Sequence, residues 1–325
     1  MRDEEAAALL HHINVFGLGW VGRGRMVSSG GLLARRRLIL LVAAGLALMV
    51  LVVIPVYVAY ASLHPPRCIS TLPEALASKG VVEFNVTSPD GVVVKGFIVN
   101  PNGVGSLVFV LMHGYTSCST APYIVKLAGE LSSRGFPVVL FDFRGHGRSG
   151  GTTTIGPREV LDARSVVGYV SKLFPGSRIV LVGFSMGASV AIVEASSDPR
   201  VYAVVADSPY YTLARVVPRW ISYATPLPSW IGSLAGLYGS LMAGVSLDFG
   251  PANVKALDKP LLVFHSSRDP LLTRSEAEAI AAKSSCGRVV EVEGAGHVEA
   301  VDKLGPARYV DAILAAITAC SKTLG

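Results

Sequence analysis

The sequence predicts an α/β fold, with a mostly parallel sheet of about eight strands, helices on both faces, and one transmembrane helix ahead of it. Three observations carry this expectation. Short apolar runs alternate with helix-length stretches from residue 106 to residue 320. The run Arg178-Ile179-Val180-Leu181-Val182 leads into Gly183-Phe184-Ser185-Met186-Gly187 and an alanine-rich segment, which reads as strand, sharp turn and helix. Residues 38–63 carry no charge at all.

The first element is that uncharged run. About 26 residues at about 1.5 Å each give about 39 Å of helix, enough to cross a hydrocarbon core of about 30 Å with tilt. Pro55 predicts a kink, tolerated when nearby groups satisfy the freed carbonyl. Arg35, Arg36 and Arg37 abut its start with Arg23 and Arg25 behind, whereas the far side offers only Arg67 nearby. Cationic flanks stay in the cytoplasm. The expectation is a cell-membrane protein with a cytoplasmic basic tail over residues 1–37, a single span over 38–63 and the remainder extracytoplasmic. A cleaved signal sequence is the competing reading, with Ala59-Tyr60-Ala61 as a small-x-small site; against it, the apolar run is about twice the usual length.

Composition agrees with this division. The 325 residues are 51% hydrophobic and 16% charged, and the net charge of +6 resides partly in the tail, which holds six arginines. Beyond the span no basic run interleaves with aromatics, so nucleic acid is not an expected partner. Gly17-Leu18-Gly19-Trp20-Val21-Gly22 matches G-x-G-x-x-G, yet no βαβ unit or ribose-binding acid follows it, and a dinucleotide site is not expected. The four cysteines, Cys68, Cys118, Cys286 and Cys320, lack metal-ligand spacing. Outside the cytoplasm they are free to form disulfides, and a Cys286–Cys320 bridge would be worth about 3–4 kcal/mol; four unpaired thiols are the alternative.

Residues 64–80, with Pro65, Pro66 and Pro73, read as a linker to a domain over 81–325. Residues 81–88 and 92–99 alternate around Pro89-Asp90-Gly91, a hairpin pattern. Strands follow at 106–112, 137–141, 178–182, 201–206, 261–264 and 288–292, with helices at 123–134, 158–173, 188–195, 275–283 and 306–320. The alternation breaks over about 208–259. There Trp220 to Leu247 is again uncharged, but Pro226, Pro228 and several glycines divide it. A second span would return the later strands to the cytoplasm, away from their sheet. A short apolar lid over a binding site fits better, and such a lid could rest on the bilayer.

A serine at the apex of a strand–helix turn has a strained backbone, and side chains two residues to either side would strike the neighbouring elements; hence Gly183 and Gly187. With 34 glycines in the chain the pattern alone could arise by chance, and the flanking strand and helix give it weight. To act as a nucleophile, Ser185 needs a base in reach and an acid to orient that base. His297, in Gly294-Ala295-Gly296-His297 after the last predicted strand, is the candidate base, and Asp269 in Ser267-Arg268-Asp269-Pro270 is the candidate acid, with Asp207 the runner-up. His265 ends a strand and is expected to pack there; Asp258 is expected to be solvated. Backbone donors for an oxyanion are expected from Met186 and from Tyr115, in the loop after strand 106–112.

The set Met112-His113-Gly114, Asp142-Phe143-Arg144-Gly145-His146-Gly147-Arg148-Ser149, residues 183–187, Ser267-Arg268-Asp269 and Gly296-His297 resembles the α/β-hydrolase superfamily over about residues 80–320, especially serine hydrolases similar to monoacylglycerol lipase and serine aminopeptidases. The resemblance implies a structural role for the Asp142-to-Ser149 loop, with Arg144 and His146 bracing the site; the expected Tyr115 donor by itself gives His113 the role of ordering that loop and not of acting as base. It implies a membrane-anchored serine hydrolase cleaving carboxylic esters of lipids or small acyl groups through Ser185, His297 and Asp269, without metal or cofactor. The same residues would serve a peptidase, an amidase or an acyltransferase, and a non-catalytic binding domain is the rival of another class. The lid is shorter than in many lipases, and the approach to the acid reads His265-Ser266-Ser267-Arg268-Asp269 in place of the usual His-Gly-Glu/Ser-x-Asp.

Overall fold

A computed structural model describes residues 29–324, with side chains over 31–320. The G-x-G-x-x-G match, His11, His12, Arg23 and Arg25 lie outside the described residues. Chain contacts divide the molecule into two units, residues 1–49 and 50–325. In the first, α1 (Ser29–Leu48) exposes its leucines, Ile39 and Val42. Gly31–Leu63 is the one stretch among the described residues long and apolar enough, by length and composition, to cross a membrane.

The division falls just inside the π-helical turn Met49–Val53, and the second unit continues with α2 (Ile54–Leu63). Pro55 lacks the N–H that would serve the carbonyl of Leu51, so a widened turn is expected next to it. The Tyr238 hydroxyl approaches that same carbonyl at 3.4 Å. The short α3 (Glu74–Ala77) then precedes the sheet.

The remaining elements follow in order: β1 (Val81–Thr87), β2 (Val93–Val99), β3 (Leu107–Met112), α4 (Pro122–Ser133), β4 (Val138–Asp142), α5 (Glu159–Leu173), β5 (Arg178–Phe184), α6 (Met186–Ala195), β6 (Val201–Asp207), α7 (Leu213–Ala224), α8 (Ser229–Ala243), β7 (Leu261–Ser266), α9 (Arg274–Ala281), β8 (Arg288–Val292), α10 (Ala300–Leu304) and α11 (Pro306–Leu324). The eight strands form one sheet in the order β1-β2-β4-β3-β5-β6-β7-β8. β1 and β2 pair antiparallel, β2 pairs antiparallel with β4, and every pairing from β4 through β8 is parallel. The expected α/β sheet with an antiparallel hairpin at its edge is therefore present.

Strand periodicity sorts the core into two layers. Val108, Val110 and Met112 of β3 face α5, α6 and α9, through residues such as Val166, Val190 and Ile280. Leu107, Phe109 and Leu111 face α4 and α11, through Leu127, Leu131, Tyr309 and Ile313. With both faces covered, the central strands are apolar throughout, which is why they read as runs and not as alternations.

Between β6 and β7, α7 and α8 pack on one another, and α8 packs along α2. Arg215 and Arg219 of α7 both pair with Glu276 of α9, at 2.8 and 2.7 Å. Burial opposes its charge, yet the two guanidiniums pull the Glu276 carboxyl down to about 2.

Residues 64–80 run against the domain. Arg67 donates to the carbonyls of Ser149 and Gly151, Ser70 and Ser119 share a hydrogen bond of 2.9 Å, and Cys68 is bonded to Cys118 with Cα atoms 6.2 Å apart. Cys286 is bonded to Cys320 at a Cα separation of 5.6 Å. This second bridge closes a segment of 34 residues, so Cys320→Ser is expected to lower unfolding stability by about 3–4 kcal/mol. Urea denaturation of the oxidised protein and the variant measures it; equal midpoints with equal slopes would contradict the pairing.

Candidate active site

The loops that follow β3 through β8 meet beyond the carboxyl ends of the parallel strands, the edge where open α/β sheets hold their ligands. Ser185 joins β5 to α6 with φ 51° and ψ −112°, a conformation that non-glycine residues rarely adopt. Its N–H is held by the carbonyl of Asp207 at 2.8 Å. The glycines around it have no room for a side chain. A Cβ at Gly183 would stand 2.3 Å from the carbonyl oxygen of Gly187, and one at Gly187 would stand 2.3 Å from that of Met112. The close approach of α6 to β3 and β5 thus requires glycine at both positions.

His297 comes from the loop after β8 and Asp269 from the loop after β7. The His297 Nε2 lies 2.8 Å from the Ser185 hydroxyl, and its Nδ1 lies 2.8 Å from Oδ2 of Asp269. An ionised carboxylate only accepts, so Nδ1 carries the proton and Nε2 faces the serine hydroxyl as acceptor. The Asp269 side chain is fully buried, and its other oxygen accepts from the amides of Leu271 (2.8 Å) and Leu272 (3.2 Å). Burial by itself would raise its carboxyl, but the His297 hydrogen bond, the His297 charge and the Leu271 amide hold it below the usual carboxylate range. It stays ionised.

Met186 opens α6, where first-turn amides have no acceptor within the helix, and Tyr115 lies in a turn closed by the Ser117 N–H on the Gly114 carbonyl. Both line the same cavity as Ser185 and His297. The turn is braced by two histidines. His113 accepts from the Phe143 amide at Nε2 (3.0 Å) and donates from Nδ1 to the Gly114 carbonyl (2.7 Å). Burial, with His146 nearby, pushes it down to about 3, so it is neutral. His146 accepts from the Thr116 amide (3.3 Å) and donates to the Arg144 carbonyl (2.9 Å); burial lowers it too. Arg144, only 2% exposed, is clamped between Asp162 and Asp90. Among the described residues none of the three is hydrogen-bonded to Ser185.

The other candidates separate. His265 is buried and donates to the Leu272 carbonyl at 3.3 Å, and Asp258 is exposed. Asp207 does not contact His297 by hydrogen bond; its carboxyl takes the Tyr309 and Ser208 hydroxyls, each at 3.2 Å. Complete burial drives that carboxyl up to about 7. Ser208 itself is a participant that sequence reasoning passed over. Its hydroxyl accepts from the Val298 amide at 3.2 Å, tying the β6 loop to the residue after His297, and both Ser208 (φ 50°) and Val298 (φ 61°) are strained. Ser62, at the end of α2, is the other. It lines the cavity beside Ser185, and the Tyr115 hydroxyl donates to its carbonyl at 2.8 Å.

The cavity holds about 210 Å³ and is walled by Tyr115, Ile155, Val217, Trp220 and Leu271 around the polar pair Ser185 and His297. No group of three or more His, Cys, Asp or Glu among the described residues is arranged to hold a metal ion.

Comparisons with known proteins agree with this architecture. The esterase Pf2001 of Pyrococcus furiosus superposes with a TM-score of 0.66 at 27% identity, over 79% of this chain and 98% of that one. The uncharacterized protein YqkD of Bacillus subtilis is 28% identical over 205 residues, 61% of this chain and 66% of its own. The lysophosphatidylserine lipase ABHD12 of Macaca fascicularis is 26% identical over 178 residues, 51% of this chain and 42% of its own. The chain thus spans less than two-thirds of the length of these curated relatives. The profile of the Alpha/beta hydrolase family matches residues 108–312, the greater part of the chain. With that match over the strands from β3 to β8, the turn at Ser185 and the loops that meet it, the chain belongs to the alpha/beta hydrolase family.

Proposed function

We propose that this protein is a serine hydrolase that cleaves carboxylic esters through an acyl-enzyme, with Ser185 as nucleophile, His297 as general base and Asp269 as the acid that orients it. The single observation that carries the reading is the unbroken row from Asp269 through His297 to the strained Ser185, with both contacts at 2.8 Å, opening into an apolar cavity. The names of two similar proteins, an esterase and a lysophosphatidylserine lipase, favour an ester as the substrate.

The steps follow from the geometry. As the Ser185 oxygen attacks the ester carbonyl, its proton passes to Nε2 of His297, and the ionised Asp269 stabilises the imidazolium. The new oxyanion is held by the amides of Met186 and Tyr115, a preorganised pair of the kind worth about 2.7–4 kcal/mol per donor. Collapse expels the alkoxide, which takes the proton back from His297. Water then enters, gives a proton to the same nitrogen and attacks the acyl-serine; as the acyl–oxygen bond breaks and the acid leaves, the Ser185 oxygen takes that proton back from His297.

Residues 38–63 are read as a retained membrane span behind the cytoplasmic tail 1–37, and 81–325 as an extracytoplasmic catalytic domain with its lid over about 208–259. The two disulfides support this side of the membrane, since such bonds persist in oxidising compartments. The expected result is turnover of short p-nitrophenyl esters at least a hundredfold faster than that of aminoacyl p-nitroanilides. Faster cleavage of the anilides would replace the esterase with a peptidase on the same three residues.

A further inference from the structure

The helix that supplies the span does more than end beside the domain. Ser62, in its last turn, lines the cavity that holds Ser185. A second, narrower slot of about 30 Å³ lies between α2 and α8, and three of its walls, Ser62, Ile155 and Val217, are also walls of the first. The two hollows are therefore adjacent. Ala59 and Leu63 close the slot from α2, and Gly236 and Gly239 line it from α8.

The slot exists because these positions are small. A Cβ on Gly239 would meet only the Ala59 Cβ, at 3.7 Å, and one on Gly236 would touch Val217 at 3.5 Å, so each glycine leaves about the room of a methyl group along the slot and anything larger would close it. The α2 wall is also fixed in place. The Tyr115 hydroxyl holds the Ser62 carbonyl, and just beyond it Arg67 and the Cys68–Cys118 bond fasten the chain to the loops around the site. α8 exposes Leu237, Leu241 and Met242, and α2 exposes Tyr57 and Tyr60.

We propose that the last turns of α2, through Ala59, Ser62 and Leu63, form one wall of the acyl-chain site, and that the tail of a long-chain monoacyl ester runs from Ser185 along the seam between α2 and α8. The membrane helix is then a substrate-binding element as well as an anchor. This rests on the serine-esterase reading above. An apolar tail suits the seam because it offers no polar partner along most of its length, and each methylene buried there is worth up to about fourfold in kcat/KM.

The test uses the full-length protein in detergent micelles with p-nitrophenyl butanoate and p-nitrophenyl dodecanoate, and reads the dodecanoate-to-butanoate ratio of kcat/KM. In Ser62→Phe, where the ring enters the cavity from the α2 side, the ratio is expected to fall at least tenfold. Gly236→Leu fills the slot from α8 and is expected to lower the ratio in the same direction; should Ser62→Phe misfold, this variant decides alone. A ratio unchanged in a folded, ester-cleaving variant overturns the acyl-site proposal and leaves the esterase reading standing. If the unaltered protein cleaves neither ester, both fall together.

Discussion

Ser185→Ala is expected to lower kcat for ester hydrolysis by roughly 10⁴-fold or more while KM changes little. The methyl group of alanine fits where the serine Cβ already sits, so cavity and backbone turn are retained. On the proposed mechanism what is lost is the oxygen that would form the acyl-enzyme, and in a catalytic unit of that kind removing the nucleophile costs about as much as removing the whole triad. For the same reason His297→Ala and the double variant are expected to match the single variant and not multiply it. Steady-state kinetics of the purified variants checks this, and a Ser185→Ala enzyme retaining a tenth of the activity would remove Ser185 from the mechanism.

The second large effect separates two neighbouring acids. Asp269→Asn is expected to lower kcat by about 10⁴-fold, because an amide in that position donates to the imidazole and favours the wrong tautomer. Asp207→Asn is expected to change kcat by less than tenfold, since the Asp207 carboxyl faces Tyr309 and Ser208 and not the His297 ring nitrogens. Its signature lies in stability. With its carboxyl raised from 3.8 to about 7 by burial, the folded protein holds a proton there that the unfolded chain has already released. Stability at this site is therefore greatest below pH 4 and declines as pH rises through the window from about 4 to 7, by about 4 kcal/mol in all. Asparagine carries no charge to bury, so Asp207→Asn is expected to raise the melting temperature at pH 8 and to lose that advantage as the pH approaches 4. The reverse kinetic pattern, with Asp207→Asn the inactive variant, would make Asp207 the orienting acid.

Much of the sheet was legible in the sequence, because strands buried on both faces must be apolar throughout and helix-length stretches separate those runs. The turn at Ser185 was legible for a sharper reason: contacts of 2.3 Å exclude any side chain at residues 183 and 187, so the spacing of the glycines records the crossing of α6 over its neighbouring strands. The Cys68–Cys118 bond was not legible. Nothing local to either cysteine shows that the segment after the apolar helix folds back onto the loop after β3. Ser208 escaped for a similar reason, since its hydroxyl matters through Val298, which is 90 residues away in the chain. Ser62 reads as one more small residue of an apolar helix until the Tyr115 hydroxyl and the cavity are seen beside it.

The most direct measurement is to treat the full-length protein with a fluorophosphonate, digest it, and locate the adduct by mass spectrometry. The account predicts one adduct per chain, on the peptide containing Ser185, formed at a rate that collapses in His297→Ala and absent from Ser185→Ala. An adduct on a different residue, or equal modification of the unaltered protein and Ser185→Ala, would contradict it.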